Sequence, residues 1–167
     1  AASDVYKRQP QISPLNKTLR QRIWKIRAKK VILATGSFER PLVFDNNDRP
    51  GIFLANSAKQ YMEKYNVKLG KKTVIFTNND SAYQTANFMF MSNIPIECIV
   101  DVREKINSYL QKLMEIAEIP IYFSHAITDT SGKLRIKSTK INKIDNKTNK
   151  IIGKAINIDC DNLLVSG

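Results

Sequence analysis

The fold is decided by residues 73–124, TVIFTNNDSAYQTANFMFMSNIPIECIVDVREKINSYLQKLMEIAEIPIYFS. Apolar runs at 73–77, 96–101 and 120–124 do not alternate with polar residues, which marks strands covered on both faces. Between them, about 80–91 and about 108–117, the apolar positions repeat at helical spacing. Strand, helix, strand, helix, strand in this order requires parallel strands joined by helical crossovers. The stretch predicts half of a mononucleotide-binding sheet, so the fold class is α/β and Rossmann-like.

Outward from this stretch the pattern changes on both sides. From residue 126 the period falls to two, through 134–136 and 141–144, with a turn at 146–149 and a further run at 151–158. This predicts an antiparallel hairpin or meander. Residues 160–167 read as a buried strand running into a glycine turn. Upstream, 23–26 alternates, and 31–34 is a continuous apolar run closed by Thr35 and Gly36, predicting a buried parallel strand. Residues 38–51, rich in Pro, Asn, Asp and Gly, form a linker. A helix follows it, with Asn56 or Ser57 as its cap and Ala58, Tyr61, Met62 and Tyr65 along one face.

Composition narrows the class further. The 167 residues are 43% hydrophobic and contain no apolar run long enough to span a membrane. Cys98 and Cys160 have no metal-ligand spacing and read as free thiols in a reducing cytoplasm. The net charge of +12 is densest at 133–154, with eight basic residues against Asp145 and no aromatic residue among them to stack a base. Lys, Ile and Asn make up 55 residues in all, a bias that loads every solvated face with lysine. Exposed hairpin faces therefore explain the charge, and nucleic acid is not the expected partner. Residues 1–11 read as a non-native or disordered leader, because residue 1 is not Met and 3–9 resemble an adaptor remnant. Both ends read as internal to a longer protein.

Three constellations can carry chemistry. Ala34, Thr35 and Gly36 end a strand with small residues, which either lets a dinucleotide approach the backbone or is an ordinary strand-to-turn exit. Thr77, Asn78, Asn79, Asp80 and Ser81 occupy the strand-to-helix turn where a G-x-G-x-x-G fingerprint would lie, yet the turn contains no glycine. Asn can preserve the turn in a left-handed conformation, but its side chain and the Asp80 charge stand where a pyrophosphate would go. The turn reads either as a retained nucleotide site or as a helix cap formed by Asp80 or Ser81. Asp101, 22 positions after Asn79, is near the spacing at which an acid holds the ribose hydroxyls of a nicotinamide dinucleotide, and Arg103 beside it suits a phosphate. An acid at a strand end is equally an ordinary turn residue. His125, the sole histidine, reads as structural or solvated. No catalytic or metal-ligating set is evident.

In this order the pieces resemble the pyridine nucleotide-disulfide oxidoreductase superfamily, in which a second dinucleotide domain is inserted into the first. Within it the chain is similar to the alpha-subunit family of heterotetrameric sarcosine oxidases. The likeness lies in 22–29 (RIWKIRAK), 34–41 (ATGSFERP), 47–51 (NDRPG), 77–83 (TNNDSAY), 100–103 (VDVR) and 164–167 (LVSG). The resemblance implies that 12–54 closes a first dinucleotide domain, 55–158 is the inserted second one, and 159–167 returns to the first. It also implies an enzyme that demethylates sarcosine to glycine, with FAD or FMN, tetrahydrofolate and oxygen, inside a hetero-oligomer. NAD is expected mainly in the first domain, touching Ala34–Gly36, and this stretch alone is not expected to turn over substrate. Two other readings stand beside it: a subunit of a related proline or hydroxyproline dehydrogenase, and a non-catalytic basic interaction module.

Overall fold

The computed structural model describes residues 24–167. The leader assigned to 1–11, the start of the stretch 12–54 and the first residue of the alternating run 23–26 lie outside the described residues. The chain divides into two units, Ala1–Gly36 and Ser37–Gly167. In the first unit, residues 24–36 form no helix or strand, and Val31, Ile32 and Leu33 are exposed. The strand expected at 31–34 is therefore not observed. A parallel strand needs neighbours to take its backbone groups and cover its side chains, and no described residue pairs with this run.

The second unit is built on a five-stranded parallel sheet in the order β1-β8-β2-β3-β4. Its strands are β1 (Ile52–Leu54), β2 (Thr73–Thr77), β3 (Ile96–Asp101), β4 (Ile121–Phe123) and β8 (Asn162–Ser166). Helices α1 (Ala55–Tyr65), α2 (Ser81–Met91) and α3 (Ser108–Ile116) supply the crossovers. Between β4 and β8 the chain makes an antiparallel meander, β5 (His125–Ser131), β6 (Ser138–Asp145) and β7 (Lys150–Asp159).

Side-chain alternation along the central strands sorts two cores. Ile75, Ile99 and Leu164 point to one face, where they meet Ala58 and Met62 of α1, Ala82, Tyr83 and Met89 of α2 and Met114 of α3. Val74, Phe76, Cys98, Val100, Leu163 and Val165 point to the other, where Ile127 and Ile141 of the meander cover them. The architecture is thus three layers, helices, parallel sheet and meander. Every residue of β2 and of β8 is buried, which is why both sequences are apolar without alternation. The two thiols lie in the meander-side core, where burial first, then Glu97 for Cys98 and Cys98 for Cys160, pushes each up to about 12. They remain thiols at neutral pH.

Two sequence expectations change here. Residues 159–167 were expected to return to a first domain, but β8 lies between β1 and β2, pairing Leu163 with both Ile52 and Val74. The boundary expected at 54/55 moves to 36/37, because β1 pairs with β8 and the linker before it belongs to the same unit. Phe44 of that linker packs edge-on to Phe76, with ring centroids 6.0 Å apart. Arg40 and Gly167 exchange backbone hydrogen bonds of 3.2 and 2.9 Å, so these two residues lie side by side. The alternation at 134–136 forms no strand, although Ile136 is buried.

The start of β8 is fixed by Asp161. Its carboxylate accepts from the Lys71 N–H at 2.8 Å and the Lys72 N–H at 2.8 Å, while Arg135 Nε donates to its carbonyl at 2.9 Å. Burial works to raise this carboxyl, but the two N–H donors and the Arg135 charge outweigh it and hold it below the usual range. Gly70 permits the approach, since a Cβ there would fall 2.5 Å from Asn162 Cβ.

Each helix ends on a left-handed residue, Asn66, Asn93 or Glu118. At α3 the Ile119 N–H reaches the Met114 carbonyl at 3.0 Å and the Glu118 N–H the Glu115 carbonyl at 3.1 Å, a Schellman closure. Asn tolerates that conformation; Glu118, at φ +54°, carries the Cβ cost. Glu118→Gly is expected to raise the unfolding free energy by about 0.5–1 kcal/mol, with Glu118→Ala giving no gain, as measured by urea denaturation.

Candidate functional site

Because β2, β3 and β8 run parallel, the residues that follow their carboxyl ends gather on one edge, the edge at which open α/β sheets bind ligands. Of the ten residues singled out from the sequence, Thr77, Asn78, Asn79, Asp80, Ser81, Asp101 and Arg103 come together there. Ala34, Thr35 and Gly36 belong to the first unit. Gly36 does adopt a left-handed φ of +72°.

The turn after β2 keeps its shape without a left-handed residue, since neither Asn78 nor Asn79 has positive φ. Side chains hold it instead. Thr77 Oγ1 accepts the Asn79 N–H at 3.0 Å and donates to the Asn79 carbonyl at 3.0 Å. Asn79 Oδ1 accepts the Ser81 N–H at 2.9 Å and the Ser81 hydroxyl at 2.6 Å. The Asn78 N–H donates to the Ser166 carbonyl at 3.3 Å, and Asn79 Nδ2 to the Ser166 hydroxyl at 3.2 Å. The helix cap expected from Asp80 or Ser81 is thus made by Asn79, and Asp80 makes no side-chain cap hydrogen bond. Asp80 turns to Arg103, whose Nη1 donates to its carboxylate at 2.7 Å. Ala82, fully buried, sits where the fingerprint's last small residue lets the helix approach the strand.

Asp101 is fully buried and saturated. It accepts from Tyr83 Oη at 2.7 Å, the Arg103 N–H at 2.9 Å, Arg103 Nε at 3.1 Å and Arg103 Nη2 at 2.8 Å. A buried carboxylate is tolerated only when paired and fully hydrogen-bonded, and this one is both. Burial, then the hydrogen bond to Asp101, drives the Tyr83 phenol far above its ordinary range, so it serves only as a donor. The Asp101 hydrogen bonds raise Arg103 against the opposing effect of burial, and Asp80 adds to them; the guanidinium is a permanent cation.

Helix α1 begins at Ala55, so Asn56 and Ser57 lie inside its first turn, not at its cap. Its Asn56 N–H is taken by the Glu39 carboxylate at 2.9 Å. Tyr83, Ser166 and Glu39 were not singled out from the sequence. For Ser166 the signal was present, because a polar residue ending a buried strand must meet a partner. Glu39 and Tyr83 reach their partners through tertiary packing that no local pattern encodes. His125 is half-buried and bonded through Nδ1 to the Phe123 carbonyl at 2.7 Å, a structural role.

The residues present do not fit a dinucleotide at this turn. Three backbone N–H groups that would face a pyrophosphate are already bonded, and the carboxylate that would hold a ribose is covered by Arg103.

The three-layer fold is shared with flavin- and nicotinamide-linked oxidoreductases. T. acidophilum thioredoxin reductase superposes with a TM-score of 0.60 at 13% identity, over 79% of this chain and 41% of its own. A FAD-dependent pyridine nucleotide-disulphide oxidoreductase from Desulfovibrio vulgaris does so at 0.59 and 16%, over 85% and 36%. The fold class is therefore the one these two oxidoreductases share. No protein-family model matches the chain. Among curated proteins, it is 36% identical over 151 residues to the sarcosine oxidase alpha subunit of Corynebacterium sp. strain U-96, covering 89% of this chain and 15% of that one. The alpha subunit from Rhizobium meliloti strain 1021 is 43% identical over 83 residues, covering 50% and 8%. The chain belongs to the sarcosine oxidase alpha-subunit family and spans about 15% of the length of the Corynebacterium relatives. Among the described residues no helix is long and apolar enough to cross a membrane.

Arg103→Leu would leave Asp101 buried with only Tyr83 and one backbone donor. It is expected to lower the unfolding free energy by about 3 kcal/mol in the native background, but by less than about 1 kcal/mol in an Asp101→Asn background, where no charge is stranded. Denaturation of the four proteins of the cycle measures the difference.

Proposed function

We propose that this chain is a segment of the alpha subunit of a sarcosine oxidase-like amine oxidoreductase, a cytoplasmic hetero-oligomer that demethylates sarcosine to glycine. The observation that carries this is the similarity to sarcosine oxidase alpha subunits over 89% of the chain. In this reading Ser37–Gly167 is the second, inserted nucleotide-binding-type domain. Its adjacent entry at Arg40 and exit at Gly167 suit insertion into a first dinucleotide domain, because such an insertion leaves the host strands unseparated. Ala34, Thr35 and Gly36 then lie on the host side, where the small side chains and the left-handed Gly36 give NAD room to approach.

The other cofactors, FAD or FMN and tetrahydrofolate, would be held by other parts of the complex and would supply the redox and one-carbon chemistry. This segment's own groups do neither. No described side chain is placed as an acid, base or nucleophile at the carboxyl edge, since Asp101 and Tyr83 satisfy each other and the cysteines are buried thiols. Its work is to bind and position, and alone it should not oxidise sarcosine.

The test is a chimera. The corresponding segment of the Corynebacterium U-96 alpha subunit is replaced by Ser37–Gly167 and produced with its partner subunits. The complex is expected to assemble and to form peroxide from sarcosine within about tenfold of the parent rate, a loss of no more than about 1.4 kcal/mol. Failure to assemble, or assembly without sarcosine-dependent peroxide, would contradict the reading.

A further inference from the structure

We propose that the dinucleotide site of this domain is closed from within, with Arg103 serving as an internal ligand of Asp101 and Asn79 and Thr77 as internal substitutes for the pyrophosphate. The inference rests on reading Ser37–Gly167 as the second nucleotide-binding-type domain of an oxidoreductase subunit.

Each contact that a nicotinamide dinucleotide would make at this edge has a counterpart supplied by the chain. A pyrophosphate at a helix N-terminus takes backbone N–H groups; here Asn79 Oδ1 takes that of Ser81 at 2.9 Å and Thr77 Oγ1 that of Asn79 at 3.0 Å. A ribose diol donates to an acid at the end of the next strand; here the Arg103 guanidinium donates to Asp101 at 2.8 and 3.1 Å. The charge balance follows the same logic. An entering anion would face Asp80 and Asp101, two carboxylates that share the single Arg103 cation at 2.7 and 2.8 Å.

The other two helices are filled in the same way. Glu39 Oε2 accepts the Asn56 N–H at the start of α1 at 2.9 Å, and Asn107 Oδ1 the Tyr109 N–H at the start of α3 at 2.8 Å. At the N-termini of α1, α2 and α3 the position open to an anion holds an oxygen of the chain itself. The strand-turn-helix scaffold meanwhile persists, down to the buried Ala82. The site is therefore a closed version of the dinucleotide fold, and its closure resides in Thr77, Asn79 and Arg103.

Calorimetric titration with NAD tests this on the whole chain and on the triple variant Thr77→Gly, Asn79→Gly, Arg103→Ala. The unaltered chain is expected to show no binding at this edge tighter than about 1 mM. The triple variant is expected to bind at least about tenfold more tightly, and to lose that binding when Asp101→Ala is added. A triple variant that folds by circular dichroism yet stays as blind to NAD as the unaltered chain would overturn the proposal. Should the variant not fold, the unaltered chain decides by NMR. The Arg103 Nε–H and the Asn79 and Ser81 amide signals should stay in place at about 10 mM NAD, roughly ten times the expected limit, and their displacement overturns the closure. Heat of binding without those displacements places NAD elsewhere on the chain and supports it. Either result is independent of the chimera, whose loss of sarcosine turnover would fault the subunit assignment instead.

Discussion

The structure depends on one pairing: among the described residues the last strand in sequence, β8, lies between the first, β1, and the second, β2. Asn162–Ser166 can occupy that place only because every side chain of the strand finds a covered position, Leu164 under the helices and Leu163 and Val165 under the meander. Backbone groups of β8 pair on both sides, with Ile52–Leu54 and with Thr73–Thr77. Residues 89 and 111 positions apart must therefore meet before the sheet is whole, a long-range closure that costs chain entropy and is repaid only by complete burial. The meander can cover the sheet only once this face is continuous, and the carboxyl edge exists only once Ser166 stands beside the turn after β2.

That edge is where the fold and the chemistry of its side chains diverge. The backbone course is that of an open parallel α/β layer, but the polar groups at its carboxyl edge bond one another. A buried Asp101 without a ligand would be costly, and Arg103 and Tyr83 remove the cost by saturating it. A turn without glycine lacks that residue's conformational freedom, and Thr77 and Asn79 fix its course by accepting the N–H groups of Asn79 and Ser81. The absence of glycine and the presence of internal partners thus go together, and the edge is a clasp joining the ends of β2, β3 and β8.

Much of this was legible in the sequence where the pattern is local. The strand at 73–77 and that at 96–101 coincide with β2 and β3, and the helices that follow them, α2 and α3, begin and end within a residue or so of expectation, because burial on both faces and helical periodicity leave their mark residue by residue. What escaped reading was decided at a distance. Ile52–Leu54 is too short to show a period and becomes a strand only by pairing with β8. The same apolar character that marked 162–166 as buried could not say in which sheet, so its place within this unit was missed. The sequence suggests Asn79 for its backbone tolerance, whereas in the structure its side-chain amide oxygen does the capping. Asp101 and Arg103 were found by spacing, but their mutual bond could not be, since spacing reveals which groups are near and not which of them are already engaged.

The most direct measurement of the account is native-state hydrogen exchange across the sheet. If β8 is the strand on which the layers close, the amides of Leu163, Leu164 and Val165 exchange only through global unfolding, with the same free energy and denaturant dependence as those of Ile75 and Phe76. Exchange of the β8 amides through a separate opening of lower free energy, while β2 stays protected, would contradict it.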